Sequence, residues 1–343
     1  MVQKLTPEQF LTEAEEGVII DVRTPAEFKE GHIGGAVNLP LFTNEERAVV
    51  GTTYKHQGRE QAVIKGLEFV GPRMASLAKK ARKIAAGRTI YLYCWRGGMR
   101  SGSVGWLLTT AGMPVKILMG GYKAYRQLFR DELAANRWKF LVLGGMTGCG
   151  KTEILAQLAL KGEQVLDLEG LANHRGSAFG GLGLPPQPTN EQMTNMVFDT
   201  LRRFDSARYV WVEGESYSIG KVSILRDLYD RLVASPFIYF DRSVEERSQR
   251  IVNEYGCFPK EELIGSFEKI AKRLGYDRVK LATEEIEKGN LEGAIRIALA
   301  YYDKGYSQAI QERRRIVASY DASGKEDDIA ASELIELAKE IVE

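Results

Sequence analysis

Cysteine is scarce in this chain. There are three in 343 residues, Cys94, Cys149 and Cys257, far apart and odd in number. That excludes a disulfide framework and points to a reducing, cytoplasmic setting. Histidine is equally rare, at three, and with such scattered cysteines no zinc-ligand spacing can be assembled. No stretch approaches the roughly 18 consecutive apolar residues of a membrane span. The opening MVQKLTPEQFLTEAEEG is polar and acidic, with the character of neither a signal peptide nor a transit peptide. Charge of one sign is also lacking. Lys and Arg total 47 against 46 Asp and Glu, a net of +1. A nucleic-acid partner would therefore need a local basic face. No repeat or low-complexity tract is evident. Ordinary apolar and charged content in a chain of this length leaves room for two domains with full cores.

One stretch dominates what is present, Ile90 to Ser103, IYLYCWRGGMRSGS. Its apolar start reads as a buried strand ending at Cys94. A helix follows from Ser101 through Leu108. A cysteine between a strand end and a helix start sits where backbone N–H groups and the helix dipole favour a thiolate and bind anions. Arg96 and Arg100 add positive charge, Gly97 and Gly98 let the backbone curl, and Trp95, Met99 and Ser101 complete the loop. The pattern predicts a nucleophilic cysteine in an anion cradle.

Upstream, Gly17–Val22 reads as a strand, followed by DVRTPAEFKEGHIGGAVNLP. Thr24 caps a helix whose first turn holds Pro25. Asp21, Arg23, Glu27 and His32 are reactive types, but no chemistry demands their spacing. They are expected to form a scaffold charge network, with His32 fixing a turn. This pattern, the strand–Cys–loop–helix and Gly120-Gly121-Tyr122 after a strand at Val115–Leu118 together resemble a rhodanese (sulfurtransferase) domain over roughly residues 5–130. The segment from Phe42 to Leu67 looks inserted, as a lid, a nucleic-acid contact or a plain surface helix. The loop departs from ordinary sulfurtransferases. Five residues separate Cys94 from Arg100, one more than usual, as in rhodanese-like dual-specificity phosphatases. A wider cradle suits a phosphate-sized anion, so the expected donor is a substituted phosphate.

Residues 127–137 read as a polar helical connector, placing a boundary near Ala135 between domains 1–134 and 135–343. A second buried strand, Trp138–Leu143, runs into GGMTGCGKT. Gly145 to Thr152 satisfies G-x-x-x-x-G-K-[ST], with a strand before it and a helix after it. Gly145, Thr147, Gly148, Cys149 and Gly150 would wrap phosphates. Lys151 would reach terminal oxygens and Thr152 would take Mg²⁺. Cys149 is expected to be a small loop residue without a redox role. His174, Arg175 and Ser177 fall in a glycine-rich loop that either closes on phosphates or lies on the surface. Strand Arg208–Val212 ends in Glu213-Gly-Glu215-Ser216, where a Mg²⁺-holding carboxylate, a base or a helix cap would sit. Ser235–Phe240 is read as closing the sheet. Near the end, Lys304, Tyr306, Arg313 and Arg314 interleave aromatic and basic residues, either a nucleic-acid-gripping face or a solvated helix. An amphipathic helix ends the chain. The fold class is α/β: a rhodanese-like domain, then a P-loop NTPase-like parallel sheet with extra C-terminal helices.

CWRGGMRS (94–101), GGMTGCGKT (144–152), DLEGLANHRGSAFG (167–180) and VEGESYSIG (212–220) together resemble the tRNA 2-selenouridine synthase family. The resemblance implies conversion of wobble 2-thiouridine in tRNA to 2-selenouridine, with selenophosphate as donor. It also implies an S-geranyl intermediate made from geranyl diphosphate, no tightly bound cofactor, and a selenophosphate-producing enzyme as a partner. Cys94 with Arg96 and Arg100 would then deliver selenium. Two other readings fit the motifs: an ATP-dependent kinase or adenylating enzyme fused to a sulfurtransferase or phosphatase-like domain, and a nucleotide-sensing switch.

Overall fold

Three threonines start the first three helices in the same way. Thr6, Thr24 and Thr43 each accept from the backbone three residues on, and Gln9, Glu27 and Glu46 return a side chain to the cap backbone. Each such box satisfies two otherwise unpaired N–H groups and contributes about 1 kcal/mol. The computed structural model describes the backbone of residues 2–313 and 315–342 and the side chains of 2–304 and 315–341. The chain divides into two compact units, Met1–Ala135 and Asn136–Glu343.

The first unit runs β1 (Gln3–Leu5), α1 (Pro7–Glu13), β2 (Val18–Asp21), α2 (Pro25–Glu30), β3 (Val37–Asn38), α3 (Asn44–Val70), α4 (Met74–Ala85), β4 (Ile90–Tyr93), α5 (Met99–Thr110), β5 (Val115–Leu118) and α6 (Gly121–Ala134). Its strands form one parallel sheet, in the order β1-β5-β4-β2-β3. Side chains alternate between sheet faces. Val18, Ile20, Ile90, Leu92 and Ile117 share one core with Leu77, Ala81, Val104 and Leu108 of α4 and α5. On the other face Tyr91 meets Phe10 of α1 edge-on, and Tyr93 lies near Tyr122 of α6. Cover on both faces explains why β4 reads as a continuous apolar run.

One expectation changes here, and one open choice, the inserted segment, falls to the surface helix. Residues 127–137 are no plain connector. Most belong to α6, whose Tyr122, Tyr125, Phe129 and Leu133 are buried. Their helical spacing is diluted by the polar residues between them. The inserted segment is helix α3, largely exposed and broken at Gly58, where φ is +86°.

The second unit runs β6 (Lys139–Gly144), α7 (Lys151–Leu160), β7 (Gln164–Leu166), α8 (Leu168–Ala172), α9 (Asn190–Leu201), β8 (Tyr209–Glu213), the short hairpin β9 (Ser218–Ile219) and β10 (Val222–Ser223), α10 (Arg226–Ala234), β11 (Pro236–Asp241), α11 (Val244–Tyr255), α12 (Lys260–Lys269), α13 (Ala271–Leu274), α14 (Tyr276–Glu287), α15 (Leu291–Arg313), β12 (Arg315–Asp321) and α16 (Asp327–Val342). The main sheet is parallel, in the order β12-β11-β6-β8-β7. The chain leaves β6 toward β7, returns by β8, then crosses to β11. A ligand crevice is therefore expected at the C-terminal end of β6. Helices α7 and α16 pack on one face around Leu141, Leu143 and Phe240. Helices α11–α15 build a separate apolar core with Phe267, Leu274 and Ala294.

Ser235–Phe240 does not close this sheet. All of it but Ser235 lies within β11, which is interior, and β12 forms the edge. The strand Arg315–Asp321 follows directly on the basic run 313–315, and that charge hides it in the sequence. Among the described residues no helix is long and apolar enough to cross a membrane.

Candidate functional site

In the first unit β4 delivers Cys94 to the sheet's C-terminal edge, and the loop 95–98 leads into α5. The residue is only 3% exposed. Its Sγ lies 3.2 Å from Ser101 Oγ, a hydroxyl that also reaches Gly98 O at 3.3 Å. The loop is braced from behind. Tyr122 N donates to Cys94 O at 2.9 Å and Lys123 N to Trp95 O at 3.0 Å. A Cβ on Gly121 would fall 2.3 Å from both Cys94 O and Gly97 N, and its φ is +62°. Only glycine allows this approach, which gives the Gly120-Gly121-Tyr122 motif a mechanical role beneath the cysteine loop.

Arg96 is exposed, Trp95 is half-buried with its ring 5.7 Å from that of Tyr122, and Met99 is 53% exposed. Arg100 is engaged: its guanidinium grips Glu27 through two hydrogen bonds of 2.7 and 3.1 Å. The expected scaffold network is thus split. Asp21 and Arg23 form a fully buried ion pair at 2.7 Å, with the guanidinium 3.9 Å from the Tyr122 ring centroid. Glu27 faces the loop. His32 Nδ1 lies 3.0 Å from Phe28 O, and its ring stacks on that of Phe28.

In the second unit the glycine-rich turn Gly145–Gly150 joins β6 to α7 and opens on a cavity of about 720 Å³. Gly145, Thr147, Gly148, Gly150, Lys151, Thr152, Arg175 and Ser177 all line it. Lys151 Nζ donates to Gly145 O at 2.9 Å, and Thr152 Oγ1 to Glu169 Oε2 at 3.1 Å. Arg175 pairs with Glu254 at 2.6 Å.

Three expected residues are placed differently. The Cys149 side chain is buried in the core beneath the loop, and its N–H donates to Met146 O at 3.2 Å. Burial pushes its thiol above the usual range. His174 is not in the cavity lining. It packs by Gly180 and Gly220, its Nδ1 buried without a partner, and burial lowers its basicity. Glu213 lies below the cavity, with Oε1 accepting from Glu169 N at 2.6 Å and Oε2 unpartnered. Burial first, then the charges of Asp167 and Glu169, raise its carboxyl well above the ordinary value. Glu215, unlike Glu213, lines the cavity.

Sequence reasoning missed three participants. Glu169 follows β7 and lines the cavity. Burial, then the nearby Glu215 charge, raise its carboxyl to about 8. Arg247 is buried and holds Thr147 O at 2.9 Å while pairing with Asp303 at 2.5 Å. Arg250, one turn on, lines the cavity and pairs with Asp327 at 2.5 Å. An Arg-x-x-Arg pair on the helix after β11 was the available signal.

Much of the remaining lining is apolar, with Phe179, Ile251, Tyr255, Ile295, Leu299 and Tyr302 beside the acidic Glu153 and Glu254. Tyr302 belongs to the aromatic–basic stretch read as a nucleic-acid grip. Instead its hydroxyl accepts from Ala178 N at 3.3 Å, and the ring packs with Tyr301 against the helical core. Lys304 is exposed. Tyr306, Arg313 and Arg314 lie outside the residues whose side chains are described. Among the described residues no three His, Cys, Asp or Glu side chains form a ready metal cage.

Comparison with known proteins finds two family models in tandem. A rhodanese-like domain matches residues 6–128, and a tRNA 2-selenouridine synthase AAA domain matches 138–333. Among similar proteins, the tRNA 2-selenouridine synthase of Pseudomonas fluorescens (strain Pf0-1) is 37% identical over 327 residues, covering 84% of this chain and 87% of its own. That of Cupriavidus necator (strain H16) is 35% identical over 351 residues, covering 91% and 94%. That of Cupriavidus pinatubonensis is 40% identical over 246 residues, covering 69% and 65%.

Proposed function

Because the chain belongs to the tRNA 2-selenouridine synthase family, we propose that this enzyme selenates tRNA in two steps divided between its two units. Its tRNA substrate and its 2-selenouridine product follow from the family. The finer reading is that wobble 2-thiouridine is first S-geranylated from geranyl diphosphate and then selenated from selenophosphate.

The observation that carries this reading is the mixed lining of the second unit's cavity. The glycine-rich turn with Lys151, Arg175 and Arg250 shares it with the apolar side chains of Phe179, Ile251, Ile295 and Leu299. A diphosphate joined to a hydrocarbon chain matches both kinds of lining. Sulfur attacks the first carbon of the chain, an S–C bond forms, the C–O bond to diphosphate breaks, and the N3 proton leaves the base. Lys151, Arg175 and Arg250 offset the charge gathering on the departing diphosphate. His174, packed away from this lining, takes no part. Without a ready cage, Mg²⁺ fits here only in the P-loop manner. Thr152 with Glu169 or Glu215 would hold it together with substrate oxygens, and it would supply further charge neutralisation.

Alkylation turns the sulfur into a thiol leaving group. In the first unit the cradle of Arg96 and the loop 95–98 orients selenophosphate beside Cys94. Selenium adds to C2, the geranyl thiol leaves with a proton, and water cleaves the P–Se bond to release phosphate.

Mass spectrometry of nucleosides from thiolated tRNA incubated with geranyl diphosphate, with selenophosphate, or with both tests this scheme. S-geranyl-2-thiouridine in the first sample and 2-selenouridine in the third are expected. Unchanged 2-thiouridine throughout, alongside Mg²⁺-dependent ATP turnover, would move the assignment to an ATP-dependent enzyme.

A further inference from the structure

The Cys94 loop does not end in a polar surface. Met99, the first residue of α5, follows Gly98 directly, and Trp106 lies two turns on along the same helix face. They are 53% and 59% exposed. With Leu67 and Val70 of α3, Met74 of α4 and Leu107 they line a groove of about 440 Å³. Leu67 is itself 58% exposed. No charged side chain is among the described residues of its lining. Isolated exposed apolar residues are ordinary, whereas a continuous uncharged groove that starts where the Cys94 loop ends marks a binding surface.

We propose that this groove seats the hydrocarbon chain of the S-alkylated nucleoside while selenium replaces sulfur. The inference rests on the two-step reading above and extends it to the first unit. Its argument is geometric. In substitution at C2 the entering selenium and the leaving sulfur are bonded to the same carbon. Whatever cradle holds the anion must therefore have the alkyl chain starting within a few ångströms of it. That chain has to leave over a surface adjoining the loop, and Met99 is where loop and groove meet. From Met99 to Trp106 the helix rises about 10 Å, a span comparable to an extended geranyl chain. Such a groove would favour the alkylated tRNA over its unmodified precursor. It would also hold the departing thiol away from the anion cradle.

The test uses the full-length enzyme, selenophosphate, and two synthetic anticodon stem-loops, one carrying S-geranyl- and one S-methyl-2-thiouridine. Their leaving groups are chemically alike, so a difference in kcat/KM reads the seating of the chain. Wild type is expected to prefer the geranyl substrate by roughly tenfold or more. Trp106→Glu and Leu67→Glu, both at exposed positions, should bring the two substrates near parity. They should leave the S-methyl rate and the geranylation of thiolated tRNA unchanged. Retention of the wild-type preference in both variants overturns the inference, and so does a variant that alters only self-association. Failure of wild type to convert the S-geranyl substrate at all, with tRNA binding intact, overturns the two-step reading and this inference with it.

Discussion

Arg100 and Glu27, seventy-three positions apart in sequence, meet in a two-pronged ion pair of 2.7 and 3.1 Å. Glu27 is also the residue that returns to the Thr24 backbone in the α2 capping box. One carboxylate therefore ties the first turn of α2 to the first turn of α5, beside the Cys94 loop. Arg100 is thus held by Glu27, whereas Arg96 is exposed.

This pair has a pH signature. Burial alone would raise the Glu27 carboxyl, but the hydrogen bond and charge of Arg100 outweigh it and hold it below its ordinary 4.5. A depressed folded value means stabilisation that is present above the ordinary value and lost as pH falls through the folded one. Glu27→Gln should cost the first unit about 1 kcal/mol at pH 7, discounted for partial exposure. The gap from wild type should close below the folded value. Urea midpoints at pH 7 and pH 3 check this, and an equal gap at both would refute it.

Gly121→Ala probes the brace under the loop. The added methyl would sit against Cys94 O and Gly97 N at a residue with positive φ. A loss of about 2 kcal/mol or more is expected, together with a fall in selenation. Geranylation should be untouched. A variant as stable and active as wild type would remove the brace from the mechanism.

Lys151→Ala tests the division of labour. Geranylation should fall by roughly a hundredfold or more, since the variant loses a charge facing the leaving diphosphate. Conversion of a synthetic S-geranyl stem-loop should persist. Cys94→Ala should behave in reverse. Loss of both activities in either folded variant would show that the steps are not separable.

Glu169 gives the second unit an alkaline sensitivity. Its folded value of about 8 lies above the ordinary 4.5. The stabilisation of its protonated form is therefore complete below the ordinary value and drains away as pH rises through the folded one. Glu169→Gln should melt higher than wild type at pH 9, with the gap narrowing toward pH 5. Thermal scans across that range, following the second unit, would expose a pH-independent gap if the assignment fails.

Much of this was readable in advance where short-range chemistry dictates it. The Thr24–Pro25 start of α2, the strand into Cys94 and the strand–turn–helix around Lys151 all depend on neighbours in sequence. What escaped depends on distant ones. Nothing beside Glu169 in the sequence marks it out, until the fold brings it to Thr152. Arg247 and Arg250 look like solvated charges until α11 lays them along the P-loop. Cys149 lies within a phosphate-binding pattern, yet its side chain is turned into the core. Strand β12 is hidden by the arginines before it, because pairing with β11 is a relation across some eighty residues.

The placement of β12 and α16 bears on how the protein is made. The first unit holds all its strands within its own 135 residues and can fold while the rest is still being synthesised. The second cannot. Its P-loop helix α7 leans on α16, and its central sheet gains an edge only from residues 315–321. Until β12 and α16 have left the ribosome, β11 lacks its β12 partner and α7 the apolar cover of α16. A newly made chain thus passes through a stage with a finished cysteine loop and an unfinished phosphate site. That interval is when it is most exposed to proteases and to aggregation, and when chaperone contact would matter most.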